Sequence, residues 1–282
     1  MVPFNMGGCG GGAAISVPGM GALPTGGFGH GNAANNIDIN GLGQAGLKIF
    51  RSQTLSDSAE ISLGQSIGLQ ATNTYKLDHD PDLQRYVTLV GRTVGAASPA
   101  SQYKYFVGVL DTDEVNAFSG PRGYIFITRG AIKRMHDESE LAGVLAHEVG
   151  HVALQHGLKA VKNANFWGGI TDAAAAGDQR IAAFKGAFGT CLNLVFVNGY
   201  SREQEDEADA EAVKYTIATG YDPHGLPRFL QRIEKEQGGP KLFPTHPGIK
   251  DRIKLIDGEI AKAGSPTGAT LADRFQASVV IR

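Results

Sequence analysis

The chain has 282 residues, 42% of them hydrophobic and 19% charged, which places it among soluble globular proteins with one large domain or two small ones. Its 26 Lys+Arg against 28 Asp+Glu leave a net charge of −2, without the basic excess that draws a protein to nucleic acid or anionic lipid. Two cysteines, Cys9 and Cys191, make at most one bridge, which excludes a disulfide-stapled miniprotein and a thiolate zinc cluster.

Residues 1–46 are rich in Gly, Asn and Pro, and no charged side chain occurs before Asp38. Such a segment cannot bury enough surface to offset its ordering entropy, and it reads as a flexible leader or linker ahead of a single domain over 47–282. It lacks the basic start and apolar stretch of a secretory signal. Met6-Gly7-Gly8-Cys9 resembles a lipoprotein cleavage site without its hydrophobic part. Two readings stay open there: an incidental cysteine, or peripheral or lipid-anchored membrane association through the N-terminal segment. After Ser56, the spacing of Ile61, Ile67, Leu69, Leu83, Tyr86, Val87, Leu89, Val90 and Val94 predicts two amphipathic helices broken near Asp80-Pro81. Tyr103–Leu110, Val115–Phe118 and Gly123–Thr128 read as short strands, and the chain from Asp137 onward as mainly helical. A membrane span needs about 20 mostly apolar residues. The best uncharged internal stretch, Gly186–Ser201, is shorter and carries Asn193 and Asn198, so it reads as a buried helix.

Asp137 with Glu140 three residues later resembles a capping box, and Leu141, Val144, Leu145, Val149 and Val152 continue at helical spacing. On that helix stands His147-Glu148-Val149-Gly150-His151. Histidines four residues apart project from one side and can direct ring nitrogens at one ion, while Glu148 is rotated by about 100° and can flank the metal without ligating it. A third ligand comes from the run Ser201–Val213. There Glu203, Glu207, Glu211 and Lys214 share a solvated face, whereas Glu205 and Asp209 fall with Ala208, Ala212 and Val213 on the packing face. Two inward carboxylates need compensation. Zinc, one ion per chain, supplies it if Glu205 is the third protein ligand and Asp209 accepts the other ring N–H of a ligating histidine. Extending the helix past His151 turns His156 about 140° from it, so His156 is expected to point elsewhere.

These motifs resemble the zinc metallopeptidase (gluzincin) family of HtpX and the CAAX prenyl endopeptidases, in its soluble BepA- and LoiP-like branch. The similarity runs from about Ser58 to Ile256 and includes Asn116-Ala117-Phe118, Gly123-Tyr124-Ile125-Phe126 and Thr245-His246-Pro247 followed by Arg252-Ile253. Ser119-Gly120-Pro121-Arg122 departs from the shorter Leu-Pro-Gly-type turn of relatives, placing Arg122 where it could alter what the cleft accepts. The resemblance implies an α+β fold: a mainly helical zincin-like metallopeptidase domain with a small sheet beside the active-site helix. It further implies a zinc endopeptidase acting on unfolded or misassembled proteins, in the periplasm or associated with the envelope.

On this reading Glu148 is the general base, and His246 and Arg252 are candidates to stabilise charge on the former carbonyl oxygen. By resemblance, His246 could instead fill the open zinc position and hold the enzyme latent. Asn116 is a candidate for bonding substrate backbone. Gly123, Tyr124 and Ile125 belong to a run that is either an edge strand onto which polypeptide adds or a plain core strand. The competing function is a zinc-stabilised, chaperone-like binding module without turnover, which would have no use for Glu148; an aminopeptidase is a weaker third.

Overall fold

A computed structural model describes residues 57–161, 179–236, 246 and 248–279, with the side chains of 179–185 left aside. The Gly-rich segment, Cys9, Thr245 and Pro247 lie outside these residues. In chain order the elements are α1 (Asp57–Tyr75), α2 (Pro81–Ala96), β1 (Phe106–Leu110), β2 (Ala117–Gly120), β3 (Tyr124–Thr128), α3 (Arg129–Ile132) and α4 (Glu138–Ala153). There follow α5 (described over 156–161), α6 (Gln179–Asn193), α7 (Arg202–Ala218), α8 (Gly225–Lys235), α9 (Ile249–Lys262) and α10 (Ala272–Ser278).

The break between α1 and α2 has a local cause. Asp80 caps α2 by accepting from the Asp82 and Leu83 N–H groups at 2.9 and 3.1 Å, and Pro81 occupies the first helical position. At the start of α4 the Asp137 carboxylate accepts from Glu140 N–H at 3.1 Å. The return bond differs from the expected box: Glu140 accepts from His136 N–H at 2.9 Å and also binds Arg232 of α8.

The sheet has the order β1-β3-β2, with β1 parallel and β2 antiparallel to β3. Both faces of β3 are covered. Ile125 and Ile127 pack into the main core with α2, α4 and α8, while Tyr124 and Phe126 pack into a second cluster with α1 and α6. The edge-strand reading of Gly123–Thr128 is therefore corrected: β3 is the central strand and has no unpaired edge to offer. Gly123 is needed for the turn into it, at φ +89°.

Helix α4 runs through the middle of the molecule, and every residue from Glu138 to Val152 is buried. Its polar side chains face neighbouring elements instead of solvent. Against it lies α7, so close at one point that a Cβ on Gly150 would sit 3.0 Å from the Ala208 carbonyl oxygen. That approach puts His147 and His151 opposite Glu205 and Asp209. Gly186–Ser201, expected to be a buried helix, is only partly so: α6 ends at Asn193 and a wider turn follows, with Cys191 and Val195 buried but Val197 66% exposed. Among the described residues, no helix is long and apolar enough to cross a membrane.

Candidate active site

Four buried side chains converge where α4, α7 and the segment before α9 meet: His147, His151, Glu205 and His246. His147 Nε2 lies 3.0 Å from His151 Nε2 and 3.2 Å from His246 Nδ1. The Glu205 carboxylate completes the group, with oxygens 3.5 Å from His147 Nε2, 3.4 Å from His151 Nε2 and 2.9 Å from His246 Nδ1. A tetrahedral ion with bonds of about 2.0–2.1 Å holds its ligand atoms about 3.3 Å apart, so this spacing suits a metal of zinc's size and its preference for nitrogen and oxygen donors.

The charge balance also fits a cation. Glu148, Glu205 and Asp209 are all at most 1% exposed, and the buried cation that meets two of them is Arg252. Three carboxylates against one guanidinium leave a deficit that a divalent ion would fill. Both Glu148 oxygens are buried without a hydrogen-bond partner among the described residues, which for a carboxylate in a native core marks a position prepared for something else. His246 Nε2 lies 3.3 Å from Glu148 Oε1.

Behind His147, Asp209 Oδ1 stands 2.8 Å from Nδ1, so the carboxylate accepts the Nδ1 proton and Nε2 is the nitrogen that faces the cluster. Arg252, on the first turns of α9, holds Asp209 in a fork: Nε donates to Oδ2 at 2.8 Å and Nη2 to Oδ1 at 2.7 Å. Its Nη1 lies 3.2 Å from Glu205. At 3% exposure it is no solvated helix cation, and its fork is directed at Asp209.

These contacts set the ionisation of the site. Burial opposes the charged form of Glu205, but His246 and Arg252 beside it hold its pKa well below the usual carboxylate range. Burial is likewise overcome at Asp209, whose pKa is lowered by Arg252 and His147. Burial pushes His151 far down. His147 goes the other way: burial and Arg252 oppose its charge, yet Asp209 and Glu205 carry its pKa up to about 9.

The remaining sequence candidates fall in two groups. Asn116 is buried next to the site and its side-chain oxygen accepts from Ala117 N–H at 3.0 Å, while His246 Nε2 lies 3.1 Å from the Ala117 carbonyl oxygen. Tyr124 and Ile125 face the two cores: Tyr124 stacks on Phe106 at 4.8 Å between ring centres, and Ile125 is wholly enclosed. They lie on the central strand, and Gly123 in the turn that leads into it, which corrects their assignment as substrate-strand residues. Arg122 is held back too. It pairs with Asp57 and with Glu60 at 2.9 Å, and its guanidinium carbon lies 5.0 Å from the centre of the Tyr103 ring.

Two residues of the site have no signal in the motifs. Tyr200, just before the Ser201 cap of α7, lays its buried ring flat on His151, 3.9 Å between centres and 14° between planes. His156 does not continue the α4 spiral. The helix stops at Ala153 and Gln155 turns at φ +55°, which brings His156 back beneath His151 with its Nδ1 2.8 Å from His151 Nδ1. It lies outside the four-residue cluster, as expected, but touches one of its members.

Comparison with known proteins agrees with this architecture. The model for peptidase family M48 matches residues 79–260. Over 214 residues the chain is 26% identical to the beta-barrel assembly-enhancing protease of Escherichia coli (strain K12), covering 71% of this chain and 43% of that protein. The chain thus spans less than half the length of that relative. It is 27% identical over 236 residues to metalloprotease LoiP of the same organism, covering 81% of this chain and 91% of LoiP. Mitochondrial metalloendopeptidase OMA1 of Schizosaccharomyces pombe is 29% identical over 179 residues, 61% of this chain and 51% of that protein.

Proposed function

The chain belongs to peptidase family M48, and from that premise we propose that it is a zinc-dependent endopeptidase that hydrolyses peptide bonds of unfolded or misassembled polypeptides. His147, His151 and Glu205 hold one zinc ion per chain. When bound, such an ion lowers the pKa of a water and polarises a carbonyl. Glu148 takes the proton of the attacking water and returns it to the departing amine. The observation that carries this reading is the Glu148 carboxylate, enclosed beside the cluster with neither oxygen hydrogen-bonded among the described residues. A binding module has no need to bury a bare carboxylate there, so the non-catalytic alternative is the weaker reading.

Asp209 keeps the His147 proton on Nδ1, and Arg252 keeps Asp209 in place. Of the two roles open to His246, its contacts favour the latent one. Nδ1 sits among the metal-ligand atoms, and Nε2 lies against both Glu148 and the Ala117 carbonyl oxygen. In that position it would fill the fourth ligand site, face the base and cover the strand edge at once.

The substrate strand moves to β2. Asn116 pairs toward β3, accepting from Thr128 N–H at 3.0 Å, so alternation turns the backbone of Ala117 and Ser119 outward. Extended polypeptide adding there would run past the cluster, and Ala117 N–H would pair with it only after leaving the Asn116 side-chain oxygen. The name of one relative, the beta-barrel assembly-enhancing protease, supports a part in protein assembly or quality control, with the envelope or periplasm as the setting that the motif resemblance implies. Metal analysis of the purified chain, with casein digestion by wild type and Glu148→Gln, tests the proposal. Stoichiometric zinc in both, with digestion by wild type alone, is the expected result; equal digestion in both would sink it.

A further inference from the structure

The His156 ring is buried at the start of α5 and has no part in the chemistry above. Its Nδ1 faces His151 Nδ1 at 2.8 Å, on the side of the His151 ring away from the cluster. Its Nε2 lies 3.0 Å from Glu207 Oε2. Glu207 sits on α7, as Glu205 and Asp209 do, but its side chain is 55% exposed.

The protons can be placed from this geometry. An ionised carboxylate only accepts, so His156 Nε2 carries a hydrogen toward Glu207. Two ring nitrogens 2.8 Å apart then share one proton. If it belonged to His156, His151 would accept at Nδ1 and carry its own proton on Nε2, aimed into the cluster where a ligand needs a lone pair. If it belongs to His151, His156 stays neutral and His151 Nε2 is free to ligate.

We propose that His156 is a positioning residue for His151: Glu207 fixes the tautomer of His156, and His156 fixes that of His151, so that an exposed carboxylate sets the lone pair presented to a divalent cation. The inference rests on the reading of the four-residue cluster as a metal centre. It also accounts for the asymmetry between the two histidines of α4. His147 meets Asp209 directly, and Arg252 offsets that buried charge. A further buried acid against His151 would join Glu148, Glu205 and Asp209. A neutral imidazole gives the same orientation and leaves the charge of Glu207 at the surface. Tyr200, stacked on the flat of the His151 ring, limits tilting but not rotation within the ring plane, and the contact with His156 fixes that rotation.

The test measures zinc affinity of the full chain by competition with a chelator, with melting of the metal-free proteins as the check on folding. His156→Leu is expected to weaken zinc binding about 10–100-fold. His156→Gln, whose amide oxygen can accept from His151 Nδ1–H, should recover part of that loss. Glu207→Lys is the decisive variant, because it sets a donor against His156 Nε2, drives the proton to Nδ1 and opposes the donation from His151. It should approach His156→Leu even if the latter folds poorly. Glu203→Lys makes the same charge change on another exposed side chain of α7 and should stay near wild type. The inference is overturned if Glu207→Lys binds zinc no differently from Glu203→Lys, or if a folded His156→Leu matches wild type. Wild type that takes up no zinc would instead remove the metal-centre reading on which the inference stands.

Discussion

Arg252→Met should expose how much of the site's stability rests on one guanidinium. The side chain is 3% exposed, makes two hydrogen bonds of 2.8 and 2.7 Å to Asp209, and lies 3.2 Å from Glu205. Removing one partner of such a buried pair leaves a desolvated charge and costs about 3–5 kcal/mol. Against a total unfolding free energy of about 5–15 kcal/mol, that is a large share. Urea unfolding of the metal-free protein is the assay, run on wild type, Arg252→Met, Asp209→Asn and the double variant. The double variant should be more stable than Arg252→Met alone by at least about 1 kcal/mol, since neutralising Asp209 removes the charge that the first change stranded. The loss should shrink when zinc is present, because the ion supplies positive charge to the same carboxylates. A loss below about 1 kcal/mol for Arg252→Met, or strict additivity in the double variant, would refute the reasoning.

Other outcomes follow from the same geometry. His246→Ala should raise basal casein hydrolysis by uncovering Glu148 and the β2 edge, whereas a fall in activity would assign His246 to stabilising charge on the substrate instead. Gly150→Val should weaken the α4–α7 contact and loosen zinc binding, because even its Cβ would stand 3.0 Å from the Ala208 carbonyl oxygen; unchanged melting and zinc affinity would contradict this. The pKa of His147, raised to about 9 in the folded metal-free protein, gives a pH dependence with a definite sign. A raised value means stability fully present below the unfolded value of about 6.5 and lost as pH climbs through about 9. Melting temperatures of the chelated protein should therefore fall across that window, and those of the zinc-loaded protein should fall less. A flat profile without metal would count against it.

Much of this site was legible in the sequence, and the reason is helical phase. His147 and His151 lie one turn apart on a helix with a clear cap, and Glu205 and Asp209 separate from Glu203, Glu207 and Glu211 on a simple rotation count. Each of those placements depends on local geometry alone. What failed was whatever depended on pairing or on a broken spiral. The alternation in Gly123–Thr128 marks a strand with two buried faces, but which strand lies at the edge depends on β1 and β2 folding around it, and no residue within the run encodes that. His156 stays out of the cluster as the rotation count predicts, but its contact with His151 is not legible from an unbroken α4, because Gln155 adopts φ +55° and starts a new direction. Arg252 stands four and eight residues before the buried Ile256 and Ile260, so the rotation count does turn it inward, but its partner Asp209 is set only by the docking of α9 on α7.

The failures and the successes meet in one electrostatic argument. A helix that reads Glu203, Glu205, Asp206, Glu207, Asp209, Glu211 looks like a surface helix, and most of it is. The core can nonetheless accept Glu205 and Asp209 because each inward oxygen meets an N–H or a ring nitrogen supplied from a different element: α4, α9 or the segment holding His246. In the metal-free protein that supply falls short of the charge on Glu148, Glu205 and Asp209, and the raised pKa of His147 is the response, a proton drawn to where positive charge is lacking. A zinc ion held there would compete with that proton for the same nitrogen, so zinc uptake near neutral pH should release a proton. The burial that makes α7 an improbable core helix on composition is what would give the site an affinity for a cation.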